Sequence, residues 1–128
     1  MGLQRYDEHI VNTSIRTFTD QEGTDECPIW SPSQHGGCLD NLIVSSSAAI
    51  AHDLRFKIGT GNNYPFMTVS IPAGAGRASG TPAVDAMTAL PATVERLIVD
   101  YSESVVAQLL VALSEGEMIV VFARGGNF

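Results

Sequence analysis

Residues 52–59, HDLRFKIG, decide how this chain is read. Leu54, Phe56 and Ile58 alternate with Asp53, Arg55 and Lys57. Successive side chains of a strand point to opposite faces, so this segment has one buried face and one wet face, as in an antiparallel sheet. A turn follows at 59–65, GTGNNYP, rich in residues that tolerate positive φ. The next segment, 66–71 FMTVSI, again reads as a strand, with Phe66, Thr68 and Ser70 on one face and Met67, Val69 and Ile71 on the other. On the other side of the opening segment, 39–45 LDNLIVS reads as a strand and the serines at 45–47 start a turn.

The same reading extends to both ends. In 9–19, HIVNTSIRTFT, the residues Val11, Thr13, Ile15, Thr17 and Thr19 share one parity, and β-branched side chains at period two favour a strand. Residues 1–8 read as a loose polar arm. Residues 20–38, DQEGTDECPIWSPSQHGGC, read as a long polar loop broken by Pro28, Pro32, Gly36 and Gly37, with Ile29 and Trp30, its only large apolar residues, expected to pin it to the body of the domain. Thr81 can cap a short helix over 82–90, with Pro82 at its first position, Asp85 near its favourable end and Pro91 closing it. Residues 93–101 read as a strand. The stretch 103–114 fits a helical stripe (Val105, Val106, Leu109, Leu110, Leu113) as well as a strand; its neighbours favour a strand. A hairpin turn at Glu115-Gly116 leads into the last strand, 117–128 EMIVVFARGGNF, which is nearly all apolar and expected to be central and buried on both faces. An all-β fold follows, an antiparallel β-sandwich or jelly roll spanning 9–128 as a single domain, with one short helix near 82–90.

Composition narrows the function. The chain has 128 residues, 45% of them apolar and 16% charged, and a net charge of −7. Nucleic-acid binding draws on a basic face, and the seven basic residues form no cluster, so direct nucleic-acid contact is not expected. The N-terminal residues lack a signal-peptide pattern, and the longest apolar run, 105–113, is too short to span a bilayer. No membrane contact and synthesis in a cytoplasm are expected. Cys27 and Cys38 leave two states open: a disulfide closing a loop of about ten residues, or separate thiols as in a reducing compartment.

Each candidate reactive site has a plainer alternative. The loop 72–81, PAGAGRASGT, lies between a strand and the expected helix, as a phosphate-binding loop would. Its spacing, Gly74-x-Gly76-x-x-x-Gly80, is not the dinucleotide fingerprint, and no Lys-Ser/Thr pair follows, so a closely packed loop is the better reading. Cys27, His35, Cys38 and His52 lack the close pairs of a structural zinc site. Ser45–Ser47 with His52 and Asp53 lack a nucleophile elbow, and adjacent strand residues point apart. The acids Asp20, Glu22, Asp25 and Glu26 lack the layout of a calcium loop. Trp30, Tyr64 and Tyr101 lie on unrelated segments and read better as packing residues than as a sugar platform. No catalytic residue, metal or cofactor is expected.

Three features together resemble small virion structural proteins of tailed phages, including capsid decoration (cement) proteins with a jelly-roll or β-sandwich fold. They are the serine-rich turn in 40–59, DNLIVSSSAAIAHDLRFKIG, the bend 69–76, VSIPAGAG, with 82–91 after it, and the closing 120–128, VVFARGGNF. The resemblance covers roughly residues 39–128 and carries no catalytic residues. It implies a non-enzymatic homo-oligomer, trimer or dimer, on the outer capsid surface, with the major capsid protein and neighbouring copies of itself as partners. A neck, collar or tail accessory protein, a host-carbohydrate-binding module and a small cupin-type enzyme are the alternatives. The expected contact residues are Tyr6 in the arm, Trp30 in the 20–38 loop, Tyr64, Pro72 and Arg77 around the 72–81 loop, and Phe128 at the end. Aromatic side chains are favoured because they dominate interface energetics.

Overall fold

The alternating segment forms the middle of a sheet. In the computed structural model, which describes residues 10–91 and 97–128, β4 (His52–Gly59) is bonded on both sides. Its neighbours are β5 (Asn63–Ile71) and β8 (Ser104–Leu109), both antiparallel. β2 (Cys27–Trp30) adds to the far side of β8, giving the order β2-β8-β4-β5. Leu54 and Phe56 are fully buried, while Asp53 is exposed and Arg55 and Lys57 are half-buried.

The second sheet follows the order β1 (Val11–Phe18), β9 (Ile119–Asn127), β3 (Gly37–Ser46), β6 (Val84–Asp85), and β7 (Leu97–Val99) also pairs with β3. β7 apart, the chain is one long ribbon rolled up on itself. β1 pairs with β9, β2 with β8, β3 with β6 and β4 with β5. This inward pairing of first with last strand is the jelly-roll wrapping, an all-β antiparallel sandwich. Between the sheets lie Trp30, Phe18, Phe56, Leu39, Leu42 and Leu54, all 2% exposed or less. Each such side chain contributes about 1.5–3 kcal/mol of burial.

Several expectations change in detail. The 20–38 loop is not continuous, because Cys27–Trp30 forms β2. Ile29 and Trp30 are the large apolar residues there, and burying them draws the backbone onto the edge of β8. Pro28 is compatible because an edge strand leaves alternate N–H groups unpaired. The helical segment near 82–90 shrinks to one 3₁₀ turn, Ala86–Ala89. Val84 and Asp85 pair with Val44 and Ile43 of β3. The turn therefore starts later, and Asp85 rather than Thr81 caps it by accepting the Met87 N–H at 3.2 Å. The ambiguous 103–114 is a strand over Ser104–Leu109, because β4 and β2 give its backbone ladder partners on both sides. β9 is central, as expected, but only its inner face is buried; Val120 and Phe122 on its outer face are half-buried. The arm 1–8, Tyr6 within it, His9 and the front of the expected 93–101 strand lie outside the described residues.

A bulge in β3 between Leu39 and Asn41 brings its backbone hard against β9. A Cβ at Gly125 would collide with the Cys38 carbonyl oxygen, so this crossing admits only glycine.

Candidate interaction surface

The expected contact residues are scattered by the fold. Trp30 is 2% exposed, and its Nε1–H donates to the Asn12 carbonyl at 3.0 Å. It is a core residue that ties β2 to β1, not a surface anchor. The reason is the rolled topology: β2 lies beneath β1, so the large side chain at the end of β2 falls between the sheets. Burial of Trp30 also removes it from any platform with Tyr64 and Tyr101. Tyr64, 67% exposed, sits on β5 opposite Ile58. Tyr101 is exposed just after β7, in the other sheet. Phe128 is 38% exposed, with its N–H bonded to the Gly36 carbonyl at 2.9 Å.

Pro72 and Arg77 are exposed on the 72–81 loop. The loop is held from below: Ala75 is fully buried and its carbonyl accepts the Ser46 N–H at 2.9 Å. Gly74, Gly76 and Gly80 take positive φ, and a Cβ at Gly76 would press on Ser45 and Ala83. Residues 76–82 rim a shallow depression of about 400 Å³ with no titratable group among Gly76, Ala78, Gly80, Thr81 and Pro82. A two-residue strand and a single turn follow, not a helix whose N-terminus would face a phosphate.

Cys27 and Cys38 are both buried and no disulfide joins them. Cys27 lies in the core on β2, its Sγ 3.6 Å from the Asp25 carbonyl. Cys38 lies on β3 of the other sheet, opposite Ile98 and Gly126. Facing sheets pack about 10 Å apart, beyond the roughly 7 Å Cα separation a disulfide spans. Among the described residues, no three His, Cys, Asp or Glu side chains converge to hold a metal ion. No helix of the described residues is long and apolar enough to cross a membrane. His52 is buried on β4, and neither ring nitrogen has a hydrogen-bond partner among the described residues.

Among the described residues, three carboxylates have their pKa lowered by hydrogen bonds, and all three hold turns or loops. Glu22 accepts the Thr19 N–H and hydroxyl, and these bonds lower its pKa. Glu26 is lowered by its ion pair with Lys57 and by the Asn63 amide, which together bind the approach to β2 onto the β4–β5 hairpin. Glu117 is lowered by the Ala49 and Ser114 N–H groups.

The surface that stands out was not singled out by any motif. It is the outer face of the β1–β9–β3 sheet. Val11 and Ile15 are 62% and 64% exposed, and Ile15 stands in a row with Phe122 and Ile43 across three strands. Arg124 lies 4.9 Å over the Phe122 ring, and its Nε donates to the Thr13 hydroxyl at 3.0 Å. The β-branched parity of β1 therefore faces out, while Asn12, Ser14, Arg16 and Phe18 face in. Phe18 decides the direction, because it is the strand's largest side chain and is fully buried. Asn12 tolerates the inner side because its Nδ2 donates to the Ser31 carbonyl and to Asn127 Oδ1. A lone Phe on the parity opposite the Val, Ile and Thr residues was the available signal.

Comparison of the chain with protein-family models, with curated proteins and with solved structures returned no match.

Proposed function

We propose that this chain is a non-enzymatic structural protein of a tailed-phage virion, and within that class a capsid decoration protein on the outer capsid surface. The observation that carries the reading is an apolar outer sheet face on a rigid jelly roll. Val11, Ile15 and Ile98 stand exposed on it, in a chain of net charge −7. Exposed apolar area of this kind marks contact surfaces. The fold class serves viral capsid proteins, lectin domains and cupins alike, so it leaves the choice to the surface.

The mechanism is burial. Loops 20–26 and 72–81 and the sheet face meet the major capsid protein and neighbouring copies, in a trimer or dimer. A stable contact buries about 1,600 Å². Repetition over a symmetric shell adds avidity to each modest contact.

The test is the copy number of the chain in gradient-purified virions, by quantitative mass spectrometry against the major capsid protein. Hundreds of copies support decoration of the shell. About a dozen copies, too few to cover a shell, would move the chain to a neck, collar or tail. Absence from virions overturns the reading. Specific binding on a glycan array would then favour a host-carbohydrate module.

A further inference from the structure

Among the described residues five strands lie at sheet edges, and four of them are short or interrupted. β2 is four residues long and contains Pro28 and a register shift. β5 contains Pro65 and a register shift opposite Phe56/Lys57. β6 is two residues long, and β7, which pairs only with β3, is three. These are the devices by which sheets avoid adding a further strand. β1 has none of them. It runs eight residues, Val11–Phe18, in unbroken register with β9, with no proline and one charge, Arg16.

The polarity of that edge follows from the ladder. Asn127 N–H donates to the Ile10 carbonyl, and Phe128 N–H donates to the Gly36 carbonyl on the other side of β9. Backbone groups alternate sides along a strand. The even-numbered residues of β1 therefore bond to β9. The N–H and C=O groups of Val11, Thr13, Ile15 and Thr17 point away from the sheet, and among the described residues β1 has no other ladder partner.

We propose that this edge pairs antiparallel with β1 of a second copy, about a two-fold axis at Ser14. In that register Val11 meets Thr17 of the other copy and Thr13 meets Ile15. All the outward residues are then matched, and each such pair exchanges two backbone hydrogen bonds. β-branched side chains face one another across the new ladder, as favoured cross-strand pairs do. Two further observations select a second copy over another strand. Arg16 Nε is buried without an acceptor among the described residues. Asn12 uses its Nδ2 on Ser31 and Asn127, and the two-fold places Asn12 of one copy opposite Arg16 of the other. Moreover, β1 carries no acid in a chain of net charge −7, so two copies meet along a strip where their repulsion is least. The pairing fuses the two β1 sheets into one and makes their apolar outer faces continuous. It specifies the self-contact of the proposed oligomer, but it is tested on purified protein, so its failure leaves the virion assignment standing.

Analytical ultracentrifugation of the purified chain should show a dimer at about 100 μM, dissociating in the micromolar range. Thr13→Pro removes an outward N–H and no backbone bond to β9; the one contact with β9 that it loses is the exposed Thr13 hydroxyl, which accepts the Arg124 Nε–H. It should weaken the dimer by about tenfold or more with an unchanged circular dichroism spectrum. Should Thr13→Pro fail to fold, the exposed pair Val11→Lys/Thr17→Lys gives the same readout by opposing like charges. Val11→Lys/Thr17→Glu opposes unlike charges and should restore the dimer. Ser14→Cys should crosslink to its own copy under mild oxidation, and Thr13→Cys should not. A monomer at every concentration overturns the proposal. So does a dimer indifferent to the lysine pair and uncrosslinked by Ser14→Cys.

Discussion

β1 and β5 are both edge strands of similar length, eight and nine residues, yet they are built to opposite ends. β5 breaks its ladder at a bulge, holds Pro65 and displays Tyr64 singly. Its surroundings are polar, with Glu26 bridging Lys57 and Asn63 across the hairpin. β1 keeps unbroken register, shows its β-branched residues outward and turns Asn12, Ser14 and Arg16 to the half-buried inner side. Length does not tell a terminated edge from an open one; interruptions of the ladder and the chemistry of the outward parity do.

The largest expected effect strikes the support beneath β1. Trp30→Ala empties the space between β1 and β2 and should cost about 3–5 kcal/mol in chemical denaturation, as large aromatic truncations do. A loss within about 0.5 kcal/mol, the range of ordinary surface changes, would return Trp30 to the surface and dissolve the account of β1. Next, Ser14→Pro removes a bond to β9 and should cost about 3 kcal/mol. Thr13→Pro, one residue away, should cost far less. Equal costs would show that the edge polarity is assigned wrongly.

A smaller effect tests the crossing that keeps β9 straight beside β1. Gly125→Ala drives a methyl into the Cys38 carbonyl and should cost about 1–3 kcal/mol by thermal or chemical unfolding. The smallest effect belongs to the β5 side. Glu26 has its pKa lowered chiefly by Lys57, so the ion pair stabilises the fold above the ordinary carboxylate pKa of 4.5. That contribution fades as pH falls through the lower folded value. Glu26→Gln should therefore lower Tm slightly at pH 7, and the gap should close in acid. A gap that persists in acid would mean that Glu26 acts by packing rather than by charge.

Much of the fold was legible in local pattern. Leu54, Phe56 and Ile58 alternate because a strand has period two, and β4 follows the alternation from His52 to Gly59. The turn after β4 was legible only in part: 59–65 reads as a turn, yet β5 begins at Asn63, because Asn63, Tyr64 and Pro65 pair with Gly59, Ile58 and Lys57 of β4. The interaction surface was not legible. Proline and glycine in 20–38 hid β2, because Ile29 and Trp30 are drawn into a strand by burial that local propensity does not contain. Aromatic content suggested Trp30 as an anchor, but residue type alone does not say whether a ring faces a partner or its own core.

The sequence by itself determined that the chain is an antiparallel all-β protein, acidic overall, because periodicity, turn residues and charge are local or additive properties. Tertiary structure alone decided that β1 lies at an edge over β2, that Phe18 turns its Val, Ile and Thr residues outward, and that Cys27 and Cys38 fall in different sheets. The physical reason is that strands are ordered by which buried faces fit together, and that fit joins residues far apart in the chain. The first strand is therefore placed by the last.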